Sequence, residues 1–103
     1  MIQSFLKWSE TAKVAERSKA ARALANAYVR GAMAEEERRA AEAAIAMLVE
    51  DASPKVRIAL SETLAHSHRP PRAVMLALAN DQIEVAGHVI AFSPVLNDSD
   101  LVD

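Results

Sequence analysis

Apolar and polar positions follow one another along this chain with the period of amphipathic α-helices. After Glu35 and again after Pro54, apolar residues recur at spacings of three and four. Ser53 before Pro54 is typical of a helix start, and Gly31 is typical of a helix end. The stripes predicted to face the core are Val14, Ala21, Leu24, Ala25 and Tyr28, then Ala41, Ala44, Ile45 and Leu48, then Val56, Ala59, Leu60, Thr63 and Leu64.

These signals predict about five helices and the start of a sixth, in antiparallel pairs. Ser9 is the expected N-cap of the first long helix, and Asp81 with Glu84 is similar to a capping box. Ahead of Ser9, a short helical turn carries Ile2, Phe5, Leu6 and Trp8. The predicted helices span residues 10–28, 35–52, 54–65, 71–79 and 82–92, and the sixth starts at 97–100. Because the chain stops at Asp103, just after that start, we expect residues 1–103 to be one helical-repeat domain, the N-terminal fragment of a longer protein.

Composition supports the all-α prediction. The 103 residues include 22 alanines, the best helix former, but only 2 glycines and 4% aromatic residues. No cysteine occurs, which excludes disulfides and favours a reducing cytoplasm. The longest apolar runs have seven residues, against the ~20 that a membrane-spanning helix needs.

Charge is distributed unevenly, and this bears on the choice of partner. Residues 1–30 carry a local charge of +4, while residues 73–103 carry −5, within a net charge of −2. The basic positions of the first long helix, Lys13, Arg17, Lys19 and Arg22, favour nucleic acid or an anionic membrane surface as alternatives. The negative net charge and the scarcity of aromatic residues argue against nucleic acid.

The segment from Asp51 to Leu60 resembles a HEAT repeat, in which an Asp and an Arg bracket the second helix of each pair. The resemblance implies a HEAT-like superhelical stack in which Asp51 and Arg57 join a ladder between repeats. In the looser copy after Asp81, Ala86 stands where Arg is expected, and Arg22 aligns with Arg57 near the start of the chain. The chain is also similar to a mainly alphaproteobacterial family, domain of unknown function 2336, through the segments 51–57, 69–72, 78–81, 84–85 and 93–96.

Residues able to carry chemistry are sparse, so no catalytic, cofactor-binding or metal-binding residue is predicted. His66 and His68 lie in a predicted turn without cysteine or a carboxylate cluster, and Glu84 with His88, four residues apart, is either a surface side-chain pair or half a metal site. No glycine-rich phosphate loop and no nucleophile elbow occurs. Gly87, inside a predicted helix, indicates either close approach of a neighbouring helix or an open spot for a partner. We therefore expect no enzymatic activity and no cofactor.

The function expected from the sequence is that of a helical-repeat scaffold or protein-interaction module. Its partner would be another protein or the remainder of its own longer chain, with nucleic-acid association as the alternative. By the HEAT resemblance, the second helices of the pairs line the binding face. That face is predicted to contain Lys55, Ile58, Glu62, Glu84, His88 and Ala91, and Ile58 is either an exposed apolar contact or part of the core.

Overall fold

Six α-helices form the described part of the chain, which in the computed structural model covers residues 2–97 apart from the side chains at positions 2, 3, 5, 6 and 9. No residue between 2 and 97 lies in a strand. The all-α prediction is therefore confirmed. In chain order the helices are α1 (Ile2–Thr11), α2 (Val14–Arg30), α3 (Glu35–Leu48), α4 (Pro54–Leu64), α5 (Arg72–Ala79) and α6 (Ile83–Phe92).

Three local signals act as the sequence predicts. Gly31 ends α2 in the left-handed conformation, with φ 74°, and its N–H donates to the carbonyl of Tyr28. Pro54 is the first residue of α4, and the Ser53 hydroxyl accepts a hydrogen bond from the N–H of Lys55 at 3.3 Å. Glu35 begins α3, as the acidic run indicates. These helix ends therefore follow from short-range chemistry.

The predicted start of the first long helix is wrong. Ser9 lies inside α1, and α2 begins only at Val14 after a break at Ala12 and Lys13. In a continuous helix the carbonyl of Ala12 would accept from the N–H four residues later. Here the Arg17 guanidinium donates to that carbonyl at 2.6 Å, so a side chain takes over the bond that the break removes.

The predicted capping box of the last helix is also wrong. Gln82, rather than Asp81, is the N-cap residue of α6, and no side chain caps that helix. The Asp81 carboxylate accepts hydrogen bonds from the Arg57 guanidinium, at 2.6 and 3.2 Å, and from the N–H of Gln82 at 2.7 Å. A contact with another helix has replaced the expected local one.

The helices pack with α4 at the centre. It lies between α2 and α6, while α3 packs against α2 and α4, and α5 packs against α4 and α6. α1 contacts α3. The largest fully buried side chains lie where these helices meet and are Ile45, Val56, Leu60, Leu64, Met75, Leu78, Val85 and Val89.

Most residues of the predicted inner stripes are buried, with exceptions at their edges. Val14 is 36% exposed, so its placement in the core is wrong, while Leu24 and Ile58 are partly buried against the core. Ile58 thus belongs to the edge of the core, one of its two predicted placements. The short helical turn predicted at Ile2, Phe5, Leu6 and Trp8 lies within α1, and the sixth helix predicted at 97–100 lies largely outside the described residues. Within those residues, no helix combines the length and apolar character needed to cross a membrane.

Candidate interaction surface

Two arginines, on α2 and α4, bind the turns that precede α4 and α6 through nearly identical contacts. Arg17 is the fourth residue of α2, and its Nε and Nη2 donate to the two carboxylate oxygens of Asp51 at 2.8 and 3.1 Å. Arg57 is the fourth residue of α4, and its Nε and Nη2 donate to both oxygens of Asp81. Such bidentate pairs between a guanidinium and a carboxylate fix both distance and orientation. We call these two pairs the Arg–Asp ladder.

Each arginine of the ladder also holds the turn before its own helix. Arg17 donates through Nη1 to the carbonyl of Ala12, and Arg57 donates through Nη1 to the carbonyl of Asp51 at 2.5 Å. Asp51 therefore meets both arginines, one through its carboxylate and one through its carbonyl. The four ladder side chains are only 10–16% exposed, so water competes weakly for these hydrogen bonds.

The ladder shifts the pKa values of its carboxyl groups. Burial by itself would raise the pKa of Asp51, but hydrogen bonds from Arg17 and Ser53 and the nearby guanidinium charges outweigh it, so the pKa is lowered. For Asp81, hydrogen bonds from Arg57 and Gln82 likewise outweigh burial and lower the pKa. The pKa of Arg17 is raised by its hydrogen bond to Asp51. Both aspartates therefore stay ionised to lower pH than an ordinary aspartate does.

The sequence located only part of this ladder. Asp51 and Arg57 were expected to join it, whereas Asp81 was in doubt because Ala86 replaces an arginine. The structure shows that Asp81 pairs with Arg57 of α4, so Ala86 does not affect that contact. The alignment of Arg22 with Arg57 was wrong. Arg17 is the residue equivalent to Arg57, because each is the fourth residue of its helix. The sequence could have identified Arg17 in this way only if it had also predicted the start of α2.

The six residues of the predicted interaction face fall into exposed and partly buried groups. Lys55, Glu62, Glu84 and Ala91 are exposed, and His88 is partly exposed. Ile58 is partly buried against the core. It therefore offers a partner less apolar surface than a fully exposed isoleucine would. The face thus lies on α4 and α6 and is mostly polar.

A short row of charged and polar side chains crosses this face. Glu62 on α4 accepts a hydrogen bond from Nη2 of Arg22 on α2 at 2.8 Å. On its other side, Nε2 of His88 lies 4.0 Å from the second carboxylate oxygen of Glu62. His88 therefore faces Glu62 rather than Glu84, with which the sequence had paired it. Arg22 was missed as a member of the face because only packing brings α2 beside α4.

Exposed apolar side chains on α6 form a second, apolar surface. Ile83 is 70% exposed and Ile90 is 46% exposed, and both lie on the side of α6 that carries Gly87. A Cβ built on Gly87 would meet only Cδ1 of Ile83, at 4.0 Å. Close approach within the described residues therefore does not explain this glycine. We call Ile83, Gly87 and Ile90 the α6 stripe.

The basic positions of the first long helix do not form a free cationic patch. Arg17 and Arg22 are committed to Asp51 and Glu62 respectively. Lys13 and Lys19 are exposed. Half of the four basic side chains on which the nucleic-acid alternative depends are thus paired with carboxylates.

The histidines of the turn after α4 do not converge with other ligands. The ring of His66 stacks on Phe92, with ring centroids 4.6 Å apart and the planes 30° from parallel. His68 is exposed. Among the described residues, no three His, Cys, Asp or Glu side chains group closely enough to hold a metal ion.

Comparisons with protein-family models, with curated proteins and with solved structures gave no match. The resemblance to HEAT repeats and to domain of unknown function 2336 therefore stays a prediction from the sequence.

Proposed function

We propose that this chain is a HEAT-like helical-repeat module that binds another protein and has no catalytic activity of its own. The recurrence of one contact supports the repeat assignment. Arg17 and Arg57 are each the fourth residue of their helix. Arg17 binds Asp51, which follows α3, and Arg57 binds Asp81, which follows α5. Repeat proteins stack similar units in this way and present an extended surface to partners.

The observation that carries the binding proposal is the α6 stripe. Monomeric proteins commonly expose single apolar side chains, but neighbouring ones on one helix face are typical of contact sites. Ile83 and Ile90 are seven residues apart, two helical turns, with the open position of Gly87 between them. Missing Cβ atoms let another backbone approach closely, so the stripe suits an apolar helix of the partner.

The polar residues predicted from the sequence would border this stripe on one side, because Glu84 and His88 directly follow Ile83 and Gly87 along α6. Glu84 is exposed on α6, and Glu62 and His88 form the polar row beside it. Interfaces commonly have an apolar centre and a polar edge, and most of the binding energy comes from the centre. The apolar side chains of the stripe should therefore contribute more affinity than Lys55, Glu62 or Glu84.

Site-specific photo-crosslinking, carried out in cells of the organism that makes the protein, tests whether the α6 stripe binds another protein. A photoreactive phenylalanine analogue at position 90 should capture a discrete protein, whereas the same analogue at the exposed Ala43 on α3 should not. Adding Ile83→Asp to the position 90 variant should abolish capture while leaving the circular dichroism spectrum unchanged. Equal capture from positions 90 and 43, or none from either, would refute the proposal.

Nucleic-acid association remains the alternative, with less support. Phosphate binding requires several available cationic side chains, and its affinity falls steeply with salt. Arg17 and Arg22 already bind carboxylates, and the chain carries a net charge of −2.

A cytoplasmic location is part of the proposal that the chain is a protein-binding module. It is supported by the absence of cysteine from the sequence.

A further inference from the structure

A cleft of about 230 Å³ lies between two turns of the chain, well separated in sequence from α6. One turn joins α2 to α3 and contributes Gly31 and Met33, and the other joins α4 to α5 and contributes Arg69. Tyr28 from α2 and Arg38 from α3 complete the lining. Two guanidinium groups thus border one small concave space.

The two arginines differ in their partners. Arg38 donates to Glu42 at 3.0 Å and lies 3.7 Å from Glu35, so carboxylates of α3 already offset its charge. Within the described part of the chain, no carboxylate pairs with the exposed Arg69 side chain. The cleft therefore presents one uncompensated positive charge.

Gly31 shapes the position of the Arg69 guanidinium. That guanidinium lies so close to Gly31 that a Cβ there would overlap its Cζ and Nη2 atoms. Gly31 also has φ 74°, a conformation that residues with a Cβ rarely adopt. The glycine therefore both turns the chain and leaves room for the guanidinium beside it in the lining of the cleft.

Tyr28 forms part of the lining of the cleft and lies between two hydrogen-bond acceptors. Tyr28 is 2% exposed, and its hydroxyl lies 2.7 Å from the carbonyl oxygen of Arg69 and 2.6 Å from Oε2 of Glu42. Burial and the hydrogen bond to Glu42 raise the pKa of Tyr28, so the hydroxyl keeps its proton and can donate it. The carbonyl of Arg69 and the carboxylate of Glu42 therefore share the one proton of this hydroxyl.

We propose that this cleft binds one carboxylate side chain, Asp or Glu, of the protein partner through the guanidinium of Arg69. A planar guanidinium matches a carboxylate with two parallel hydrogen bonds. Glu42 beside the cleft opposes a doubly charged group such as phosphate, whereas a single charge matches the one uncompensated arginine. Met33 supplies an apolar wall for the aliphatic part of the ligand.

This assignment rests on the proposed function, since it takes the ligand to be a protein group, but it involves none of the residues of the α6 stripe. Direct titration of the purified chain tests it without the natural partner. The probes are the capped tripeptide acetyl-Leu-Asp-Leu-amide and its uncharged counterpart with Asn in place of Asp. Binding is followed by the amide NMR signals of the isotope-labelled protein.

The aspartate peptide should shift the amide signals of Gly31, Met33 and Arg69. The asparagine peptide should bind at least about tenfold more weakly. Arg69→Gln should abolish the difference between the two peptides. Arg39→Gln should leave it intact, because Arg39 is an exposed arginine outside the cleft that pairs with Glu35. Equal binding of both peptides, or shifts elsewhere on the surface, would overturn the assignment.

Two further measurements keep the result decisive. If Arg69→Gln does not fold, Arg69→Lys can replace it, since lysine keeps the charge but lacks the planar guanidinium. Arg69→Lys should lower the affinity for the aspartate peptide severalfold. An unchanged affinity would show that the guanidinium does not bind the carboxylate. Inorganic phosphate should shift the same signals less than the peptide does at equal concentration, and stronger phosphate binding would contradict a site for a single charge. A negative peptide titration alongside successful crosslinking from position 90 would remove the cleft alone, leaving the binding function in place.

Discussion

Removing the pair between Arg57 and Asp81 tests whether the Arg–Asp ladder holds α4 and α6 together. Arg57→Met keeps most of the aliphatic stem, and Asp81→Asn keeps one oxygen that can accept from the N–H of Gln82. A double-mutant cycle with these two variants isolates the interaction between the side chains from their other contacts. The cycle therefore measures a coupling free energy rather than the sum of two losses.

The expected coupling follows from the geometry and the exposure of the pair. Exposed ion pairs contribute about 0.2–1 kcal/mol, and breaking a fully buried pair costs about 3–5 kcal/mol. Here two hydrogen bonds of 2.6 and 3.2 Å join side chains that are 16% and 15% exposed. Allowing for the remaining solvent screening, we expect a coupling of about 2 kcal/mol, or roughly a 30-fold change in the unfolding equilibrium.

Urea denaturation followed by circular dichroism at each corner of the cycle gives the four unfolding free energies. The matched control is the cycle for Arg39 and Glu35, a 3.1 Å pair whose side chains are 73% and 67% exposed. That control should couple by no more than about 0.5 kcal/mol. If the Arg57–Asp81 coupling were as small as the control, the ladder would not stabilise the packing of these helices.

Three further results are expected. Leu60→Ala should lower the free energy of unfolding by about 2–5 kcal/mol in the same urea assay, because Leu60 is completely buried; a loss below ~1 kcal/mol would contradict its central place. Gly31→Ala should lower the melting temperature, since φ is 74°, whereas Gly87→Ala should raise stability by up to about 1 kcal/mol because its Cβ has open space; changes of the same sign would refute this contrast. The folded-state pKa values of Asp51 and Asp81 lie below the ordinary 3.8, so the unfolded chain takes up protons first as pH falls. The stability they contribute is thus complete above the unfolded pKa and is lost as pH falls through the folded pKa, and the Asp51→Asn, Asp81→Asn double variant should lose less stability between about pH 5 and about pH 2.

The candidate surfaces show where sequence reasoning stops. Lys55, Glu62 and Glu84 were correctly predicted to be exposed, because their helical phase is opposite to the apolar stripe. Their neighbours across helices were not predicted, since Arg22 reaches Glu62 only after α2 packs beside α4. The cleft was missed for the same reason, because its two turns are almost forty residues apart in the chain.

The break between α1 and α2 shows the same limit at the level of secondary structure. Ala12 and Lys13 include no glycine or proline, so nothing local predicts an interruption there. The interruption is accompanied by Arg17, which donates to the Ala12 carbonyl while holding Asp51, 34 residues away. A contact between distant segments thus contributes to the end of one helix and the start of the next.

What the sequence alone determined was the all-α class and those helix ends that depend on a few adjacent residues. Gly31, Ser53 and Pro54 act through their own backbone freedom or hydrogen-bonding groups, and these properties do not depend on the rest of the fold. The tertiary structure alone decided which arginine meets which aspartate and which apolar side chains stay in water. Asp81 could have capped its own helix or bound Arg57, and packing of α4 against α6 brought the guanidinium close enough for the second contact to prevail.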